Sequence, residues 1–284
     1  MAYRTVIRRR LVGTALRQYR EAFGFTLADV AELLECDRSK ISRIETGHRG
    51  VRAKELRELL EWYGVAEREQ DLLLAIEQST RGARSGWWQD CIKALPGSKL
   101  EYVVLEERAS QILIYGPAVV PDLLQTHAYA LATALTDRSQ PAGIEEGVAL
   151  AVQMRQAAVR EVRQTDLHVV VAEAALHQQV GDRWIMREQL RALAELGNGN
   201  SAITVQVLPS ETGVPPVGGS GSFSILSFTP TPALGVVHLD GPAGGVCIDD
   251  RQEVAAYTQA FAQLHVAALN PDASLELIRQ LAAD

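Results

Sequence analysis

Polar and basic side chains are concentrated in a short segment, residues 38–43, where Ile41 is the sole apolar residue. The segment contributes Arg38, Ser39, Lys40, Ser42 and Arg43. The planar guanidinium of arginine fits the O6 and N7 acceptors of guanine, while lysine and serine donate to phosphate oxygens. Residue types of this kind, at this density, indicate a surface that binds nucleic acid.

Two short helices joined by a tight turn are predicted to position this segment. Apolar residues recur at helical spacing before and after a break: Leu27, Val30, Ala31 and Leu34, then Ile41 and Ile44. Thr26 and Asp37 precede the two patterns, and both residue types are favoured N-caps. This layout is typical of a helix-turn-helix, in which the second helix enters the major groove of DNA.

The second helix is expected to bury one face and expose the other. Ile41 and Ile44 have the spacing of residues that pack inward together. The outward positions hold Arg38, Ser39, Ser42 and Arg43. We expect Arg43 to bind a guanine, and the first two residues of the helix to meet base edges at its N-terminal end.

Phosphate contacts are expected around this base-reading face. Lys40 supplies a charge that neutralises a phosphate without reading the sequence. Thr26 presents its hydroxyl and the N–H groups of the first helix of the motif to another phosphate. Arg49, in the loop after Gly47, is expected to act in the same way.

About the first 65 residues resemble the Xre type of helix-turn-helix. The matching residues are Leu16, Arg17, Arg20, Gly24, Phe25, Thr26 and the run over 39–47. Further runs are similar to a large group of actinomycete regulators, over 86–88, 120–126 and 204–209. These WhiJ-like proteins join an Xre domain to one particular C-terminal domain and are often paired with a small partner protein.

The resemblance implies a structural role for Arg20 and Glu45. In proteins of this type the matching arginine and glutamate form an ion pair, which ties helix one to the end of the recognition helix and orients it. One departure from the pattern is Leu27, which stands where many relatives have a glutamine that contacts a base or a phosphate. Readout is then expected to depend more on the second helix of the motif.

The charge is divided unevenly along the chain of 284 residues. Residues 1–50 hold ten Lys or Arg and six Asp or Glu, a net charge of +4, whereas residues 51–284 carry a net charge of −11. A small basic DNA-binding domain on an acidic regulatory body suits this asymmetry.

A cytoplasmic, nucleoid-associated protein is the expectation from the remaining composition. No apolar run of the sequence approaches the roughly 18–20 residues of a membrane span, so no membrane partner is expected. The three cysteines, at 36, 91 and 247, lack metal-ligand spacing, and reduced thiols are the simple interpretation.

A polar, glycine-rich stretch over 80–86 predicts a boundary between two domains. We expect a five-helix all-α domain of the Xre, lambda-repressor-like fold over 1–79. A linker and docking segment with Trp87 and Trp88 follows over 80–98, and an α+β regulatory and dimerisation domain over 99–284.

Helical and strand-like patterns alternate in the C-terminal part of the chain. The helical patterns cover 99–111, 126–136, 143–163, 185–197, 250–268 and 273–282. The strand-like runs cover 112–115, 168–172, 203–208, 223–228, 236–239 and 246–248. Because the last three runs follow one another between Gly/Pro-rich turns, a mainly antiparallel sheet is favoured over a doubly wound parallel one.

Signals for catalysis are weak in this sequence. The run 218–222 is rich in glycine, but it lacks the lysine and the following helix of a P-loop, so we interpret it as a hairpin turn. His168 and His238 fall within strand-like runs, where packed or hydrogen-bonded histidines are commoner than catalytic ones. We expect no catalytic residue, no metal site, no cofactor and no enzymatic activity.

The sequence therefore predicts a transcriptional regulator that binds a palindromic operator in double-stranded DNA as a homodimer. Its C-terminal domain is expected to dimerise and to respond to a partner protein or a small effector. One alternative is an antitoxin-like protein that mainly binds a small cognate partner and uses DNA binding for autoregulation. The other is an enzyme, such as a nuclease or hydrolase, targeted by the helix-turn-helix.

Overall fold

The structure is a computed structural model that describes residues 7–78, 97–136, 143–161, 165–196, 202–229, 234–241 and 245–283. The chain divides into two compact units, Met1–Gly86 with Phe228–Leu234 and Trp87–Ser227 with Gly235–Asp284. The predicted linker over 80–98, with Trp87 and Trp88, lies outside the described residues apart from its last two positions. The domain limits therefore stay predictions.

The described part of the first unit is helical. Its helices are α1 (Ile7–Ala22), α2 (Leu27–Leu33), α3 (Arg38–Glu45), α4 (Ala53–Trp62) and α5 (Glu67–Gln78). Their buried apolar residues recur every three or four positions and form one core, which includes Leu11, Leu16, Val30, Ile41, Leu56, Leu60 and Leu73. The predicted helical fold of this region is confirmed.

Helix α1 passes very close to the end of α3. A Cβ atom on Gly13 would lie 2.3 Å from the carbonyl oxygen of Ile44 and 2.7 Å from that of Glu45. Glycine is therefore required at this position, because any side chain would push the two helices apart.

The second unit contains α6 (Gly97–Glu106), β1 (Gln111–Gly116), α7 (His127–Thr136), α8 (Glu145–Glu161), β2 (Asp166–Ala172), α9 (Glu173–His177), α10 (Arg183–Leu196), β3 (Ile203–Leu208), β4 (Phe223–Ser227), β5 (Gly235–Leu239), β6 (Val246–Ile248), α11 (Arg251–Ala267) and α12 (Pro271–Ala283). Short 3-10 turns follow β1, at Asp122–Leu124, and β3, at Ser210–Thr212. Within these residues no helix is long and apolar enough to cross a membrane.

The strands form a mixed sheet in the order β3-β2-β1-β4-β5-β6. Strands β4, β5 and β6 form the antiparallel meander that the turns predicted, and β4 also runs antiparallel to β1. The predicted α+β domain with a mainly antiparallel sheet is confirmed. Strands β1, β2 and β3 form the other half of the sheet and pair in parallel, which the sequence pattern did not reveal.

The glycine-rich run 218–222 does not form the predicted hairpin turn. It precedes β4, and the strand before it, β3, lies on the far side of β2 and β1. The segment is therefore a connection across the sheet. A local glycine pattern predicts a reversal of the chain but not which strand the chain pairs with afterwards.

Helix α6 also ends earlier than its apolar pattern, which continues to residue 111. The chain leaves the helix after Glu106, and Ser110 already belongs to the sheet: its N–H donates to the carbonyl of Ser227 and its own carbonyl accepts from Asp166, both at 2.9 Å. Pairing with strands far along the chain thus overrides the local helical pattern.

One face of the sheet is covered by α11. Phe261 and Leu264 of this helix belong to one buried cluster with Tyr115, Phe223 and Ile225 of the sheet. Asp250 caps α11 by accepting from the N–H of Gln252 at 2.9 Å.

Candidate nucleic-acid interface

Helix α3 is held in the first unit by two isoleucines and begins at a capping aspartate. Ile41 and Ile44 are each 2% exposed, and the carboxylate of Asp37 accepts from the N–H of Ser39 at 2.7 Å. The polar positions of the helix reach solvent: Arg38, Ser39 and Arg43 are exposed, and Lys40 and Ser42 are half-buried. The outward residues predicted from helical spacing therefore share a solvent-accessible surface.

The cap of α3 is ionised. Hydrogen bonds from the side chain and the N–H of Ser39 lower the pKa of Asp37 below its ordinary value. A negative charge at this position is favourable for the helix dipole. It also lies next to Arg38, so a phosphate that approaches this end of α3 meets charges of both signs.

Arg20 and Glu45 form a buried, bidentate ion pair. Nε and Nη2 of Arg20 donate to the two carboxylate oxygens of Glu45 at 2.7 and 3.0 Å. Nη1 donates to the carbonyl oxygen of Phe25 at 2.9 Å. The hydrogen bond to Glu45 is the main reason that the pKa of Arg20 is raised. One guanidinium therefore connects α1, the residue at the end of α3 and the chain that enters α2.

Thr26 is engaged in capping α2. Its hydroxyl oxygen accepts from the N–H groups of Ala28 and Asp29 at 3.2 and 3.3 Å, and the hydroxyl donates to the Asp29 carboxylate at 2.9 Å. The N–H of Thr26 donates to the same carboxylate at 2.7 Å, and this bond is the main reason that the pKa of Asp29 is lowered. A phosphate at this end of α2 would meet that carboxylate, and the phosphate contact of Thr26 stays a prediction.

Lys40 and Arg49 differ in how available their charges are. Nζ of Lys40 lies 2.8 Å from the Glu55 carboxylate of α4, and both side chains are largely buried. A contact between Lys40 and a phosphate would have to compete with this pair. Arg49 is exposed in the loop after α3, where its N–H donates to the carbonyl of Arg43 at 2.9 Å.

Two family models match the chain. Residues 11–73 match a helix-turn-helix domain, and residues 100–280 match a domain of unknown function, DUF5753, which covers more than half of the chain. The chain belongs to the DUF5753 family. Searches of curated proteins and of solved structures found no match.

The helix-turn-helix match favours one class of protein. A helix-turn-helix is typical of DNA-binding regulators, so the match supports a regulator rather than an enzyme. In the described part of the DUF5753 chain, no group of three or more His, Cys, Asp or Glu residues is placed to hold a metal ion.

Three features of the helix-turn-helix region escaped the sequence pattern. Phe25 stacks on Trp62 of α4, with ring centroids 4.0 Å apart, and the Lys40–Glu55 pair also joins the motif to α4. Both bring residues of α4 together with residues far from them in the chain, Phe25 before α2 and Lys40 in α3, and the spacing within one helix does not report such contacts. A third feature is Glu35, which adopts a φ of 47° in the turn between α2 and α3, a conformation that favours glycine or asparagine.

Proposed function

We propose that the protein is a sequence-specific transcriptional regulator of the WhiJ-like type, whose helix α3 reads an operator in double-stranded DNA. The observation that supports this most is the arrangement of α3 itself. Two buried isoleucines and a bidentate Arg20–Glu45 pair hold the helix, while Arg38, Ser39 and Arg43 reach solvent. A rigid helix with exposed arginines suits insertion into the major groove.

Base recognition is assigned to the exposed residues of α3. Arg43 binds a guanine through its guanidinium, and Arg38 and Ser39 contact base edges at the N-terminal end of the helix. Ser42 lies between them on the half-buried margin of the same helix. Phosphate contacts come from Arg49 first, with Thr26 and Lys40 as weaker contributors, because their polar groups already bind Asp29 and Glu55.

The proposed regulator binds DNA as a homodimer. One helix-turn-helix contacts only a few base pairs, whereas two related by a two-fold axis read half-sites about 34 Å apart on one face of the DNA. Such a dimer requires a palindromic operator. The DUF5753 domain is assigned the dimerisation and the response to a small effector.

Binding of a small cognate partner protein is a second candidate function of the same domain. Trp184 at the start of α10 is 76% exposed, and it lines a surface groove with Arg187 and Arg191. Tryptophan and arginine are the residue types that contribute most at protein interfaces. Co-purification of a stoichiometric small protein that is lost with Trp184→Ala would support this function.

Selection of bound fragments from the genome that encodes the chain tests the proposed regulator. We expect the intact protein to enrich fragments that share a palindrome, with half-sites about 34 Å apart. The double variant Arg38→Ala, Arg43→Ala should lose this enrichment, and Arg57→Ala, which removes an exposed arginine of α4, should keep it. Equal recovery of random duplex and genomic fragments at moderate salt would contradict the proposal.

A further inference from the structure

A cavity of about 190 Å³ lies in the second unit at the carboxyl end of β1. Its walls come from α6, from the segment 116–123 that follows β1, and from the start of β4. At this point the sheet changes direction, because β1 is parallel to β2 on one side and antiparallel to β4 on the other. In open α/β sheets, ligands commonly bind outside the carboxyl ends of strands where the strand order reverses.

Lys99, Asp122 and Asp240 meet at the wall of the cavity. Nζ of Lys99 lies 2.8 Å from the Asp240 carboxylate and 3.4 Å from that of Asp122, and this lysine side chain is only 14% exposed. The hydroxyl of Ser222 lies 3.4 Å from the second oxygen of Asp240. One buried ammonium is thus shared between two carboxylates that each remain partly open to solvent.

Arg155 also lines the cavity, and its guanidinium is already paired with two carboxylates. Its Nε and Nη2 donate to the Glu106 carboxylate at 2.8 and 2.9 Å, and its Nη1 donates to Asp122 at 2.7 Å. Arg155 and Glu106 are 4% and 1% exposed, so they have little contact with solvent. Their charges cancel each other, which leaves Lys99 facing both Asp122 and Asp240.

We propose that this cavity binds a small organic amine in its protonated form, with the ammonium held by Asp122 and Asp240 and the organic part against the apolar wall. With Arg155 and Glu106 cancelled, Lys99 and the two aspartates carry a net charge of −1, with the buried His238, whose Nδ1 lies 3.5 Å from the Asp240 carboxylate, counted as neutral. A cationic ligand restores neutrality, whereas a carboxylate or phosphate would meet two carboxylates that already surround Lys99. The charge arrangement therefore selects cations over anions.

The rest of the lining sets the size and shape of the ligand. The apolar wall is formed by Ile114, Pro117, Val119 and Pro121, with the ring of Tyr102 beside Lys99. The volume is below the roughly 300–1,000 Å³ of sites that hold drug-sized molecules. A compact aliphatic or monocyclic amine fits such a space, and a nucleotide or a peptide does not.

This inference rests on the proposed function in one respect, since it identifies the effector to which the DUF5753 domain responds. The binding site and the regulatory role can fail separately. Amine binding is measured on the full chain without DNA, and operator binding is measured on the same preparation.

The decisive experiment compares probes of equal shape and opposite charge. Benzylamine, benzyl alcohol and benzoate are titrated into the full-length protein, and binding is followed by saturation-transfer NMR and by the shift in thermal midpoint. We expect saturable binding of benzylamine in the millimolar range or tighter, weaker binding of benzyl alcohol and none of benzoate. Equal or stronger binding of benzoate, or binding of none of the three, would overturn the proposal.

A matched pair of variants localises the site. Asp240→Asn removes the partly exposed carboxylate with little change of volume and should weaken benzylamine binding about tenfold, since a charged hydrogen-bond partner is lost. Asp272→Asn, at an exposed position of α12, should leave it unchanged. Equal affinities for the two variants would refute the assignment of the site, and the probe comparison on the wild type decides the charge preference even if Asp240→Asn fails to fold.

An effect of benzylamine on operator binding then tests the link to regulation. A change in operator affinity that Asp240→Asn abolishes supports an effector site. Amine binding without any such change removes the effector role and leaves the cavity assignment standing. Operator binding in a protein that binds none of the probes leaves the regulator standing and refutes the cavity assignment.

Discussion

Each unit contains a buried Arg–Glu pair of the same geometry, and the two pairs lie in very different surroundings. Arg20 binds Glu45 with two nitrogens, as Arg155 binds Glu106. The first pair extends to the carbonyl oxygen of Phe25 and to the exposed carboxylate of Glu21, and it has exposed basic residues close to it in the chain. The second extends to Asp122 and, through it, to a lysine at the wall of a cavity.

The buried Arg–Glu pair therefore has a different role in each unit. In the first unit the pair holds α3, whose proposed base-contacting residues Arg38, Ser39 and Arg43 are exposed and lie within six residues of the chain. In the second unit Arg155 and Glu106 neutralise each other. The net charge at the proposed cavity site therefore depends on Lys99, Asp122 and Asp240. The following predictions test this contrast, in order of expected size.

The largest effect is expected for Arg155→Met. The change keeps the aliphatic part of the side chain but leaves Glu106 buried without its partner, and breaking a buried pair in this way costs about 3–5 kcal/mol. Hydrogen exchange measured by peptide mass spectrometry should show this loss in α6 and α8, with α1–α5 unchanged. Arg108→Ala, at an exposed arginine, should cost no more than about 0.5 kcal/mol. Equal protection in the two variants would contradict a structural role for the buried pair.

A loss of about 3 kcal/mol is expected in the first unit for Glu45→Gln, because Arg20 stays buried and keeps only the exposed Glu21 carboxylate, 3.3 Å from its Nη2. Exchange should increase in α1 and α3 and remain unchanged in the sheet unit. Glu58→Gln, in an exposed pair with Lys54, serves as the control and should have little effect.

The double variant Arg20→Met, Glu45→Leu separates stability from orientation. Apolar replacement of both partners often restores stability, so exchange should return toward the wild-type level. If the pair orients α3, operator affinity should stay low in this stable variant. Full recovery of operator binding would show that the pair contributes stability alone.

Protonation of Asp122 at low pH should lower the folding stability of the second unit. Burial alone would raise the pKa of this carboxyl group, but Lys99 and Arg155 outweigh burial and hold its pKa well below the ordinary value. The ionised form therefore stabilises the unit above the unfolded pKa of about 3.9, and this stability is lost as the pH falls from there toward the folded pKa.

Denaturation of wild type and Asp122→Asn at several pH values measures this effect. The variant should be less stable at pH 6 and should show a shallower decline below pH 4. Parallel stability curves for the two proteins would contradict the assignment of this acid response to Asp122.

The smallest effect concerns the phosphate contacts. Arg49→Ala should lower the slope of log affinity against log salt by about one unit. Lys40→Met should lower it by less, because Glu55 already compensates the charge of Lys40. A titration of operator binding at several salt concentrations measures both slopes. A larger change for Lys40→Met than for Arg49→Ala would show that the Lys40–Glu55 pair opens on DNA.

The same contrast explains how far the sequence could predict this structure. Caps at Thr26 and Asp37 and the spacing of Ile41 and Ile44 act within a few residues, so the helix-turn-helix and its exposed face were predictable. The β4–β6 meander was predictable as well, because its strands are consecutive.

The charged network of the sheet unit could not be predicted in this way. Arg155 lies 49 residues from Glu106, and Lys99 lies 141 residues from Asp240. The parallel strands β1 and β2 are likewise separated by two helices. Helix α9 is too short for a periodic pattern to reveal it. Contacts of this range depend on the order of strands in the sheet, and neither composition nor local spacing encodes that order.

The most direct test of the central claim is a titration of Arg43→Ala against an operator and its single-base-pair variants at fixed salt. We predict that the substitution costs about 1–3 kcal/mol of binding free energy and removes the preference at one base pair in each half-site, while Arg57→Ala keeps the wild-type affinity and preferences. Unchanged affinity and base preference in Arg43→Ala would contradict the assignment of sequence readout to the exposed face of α3.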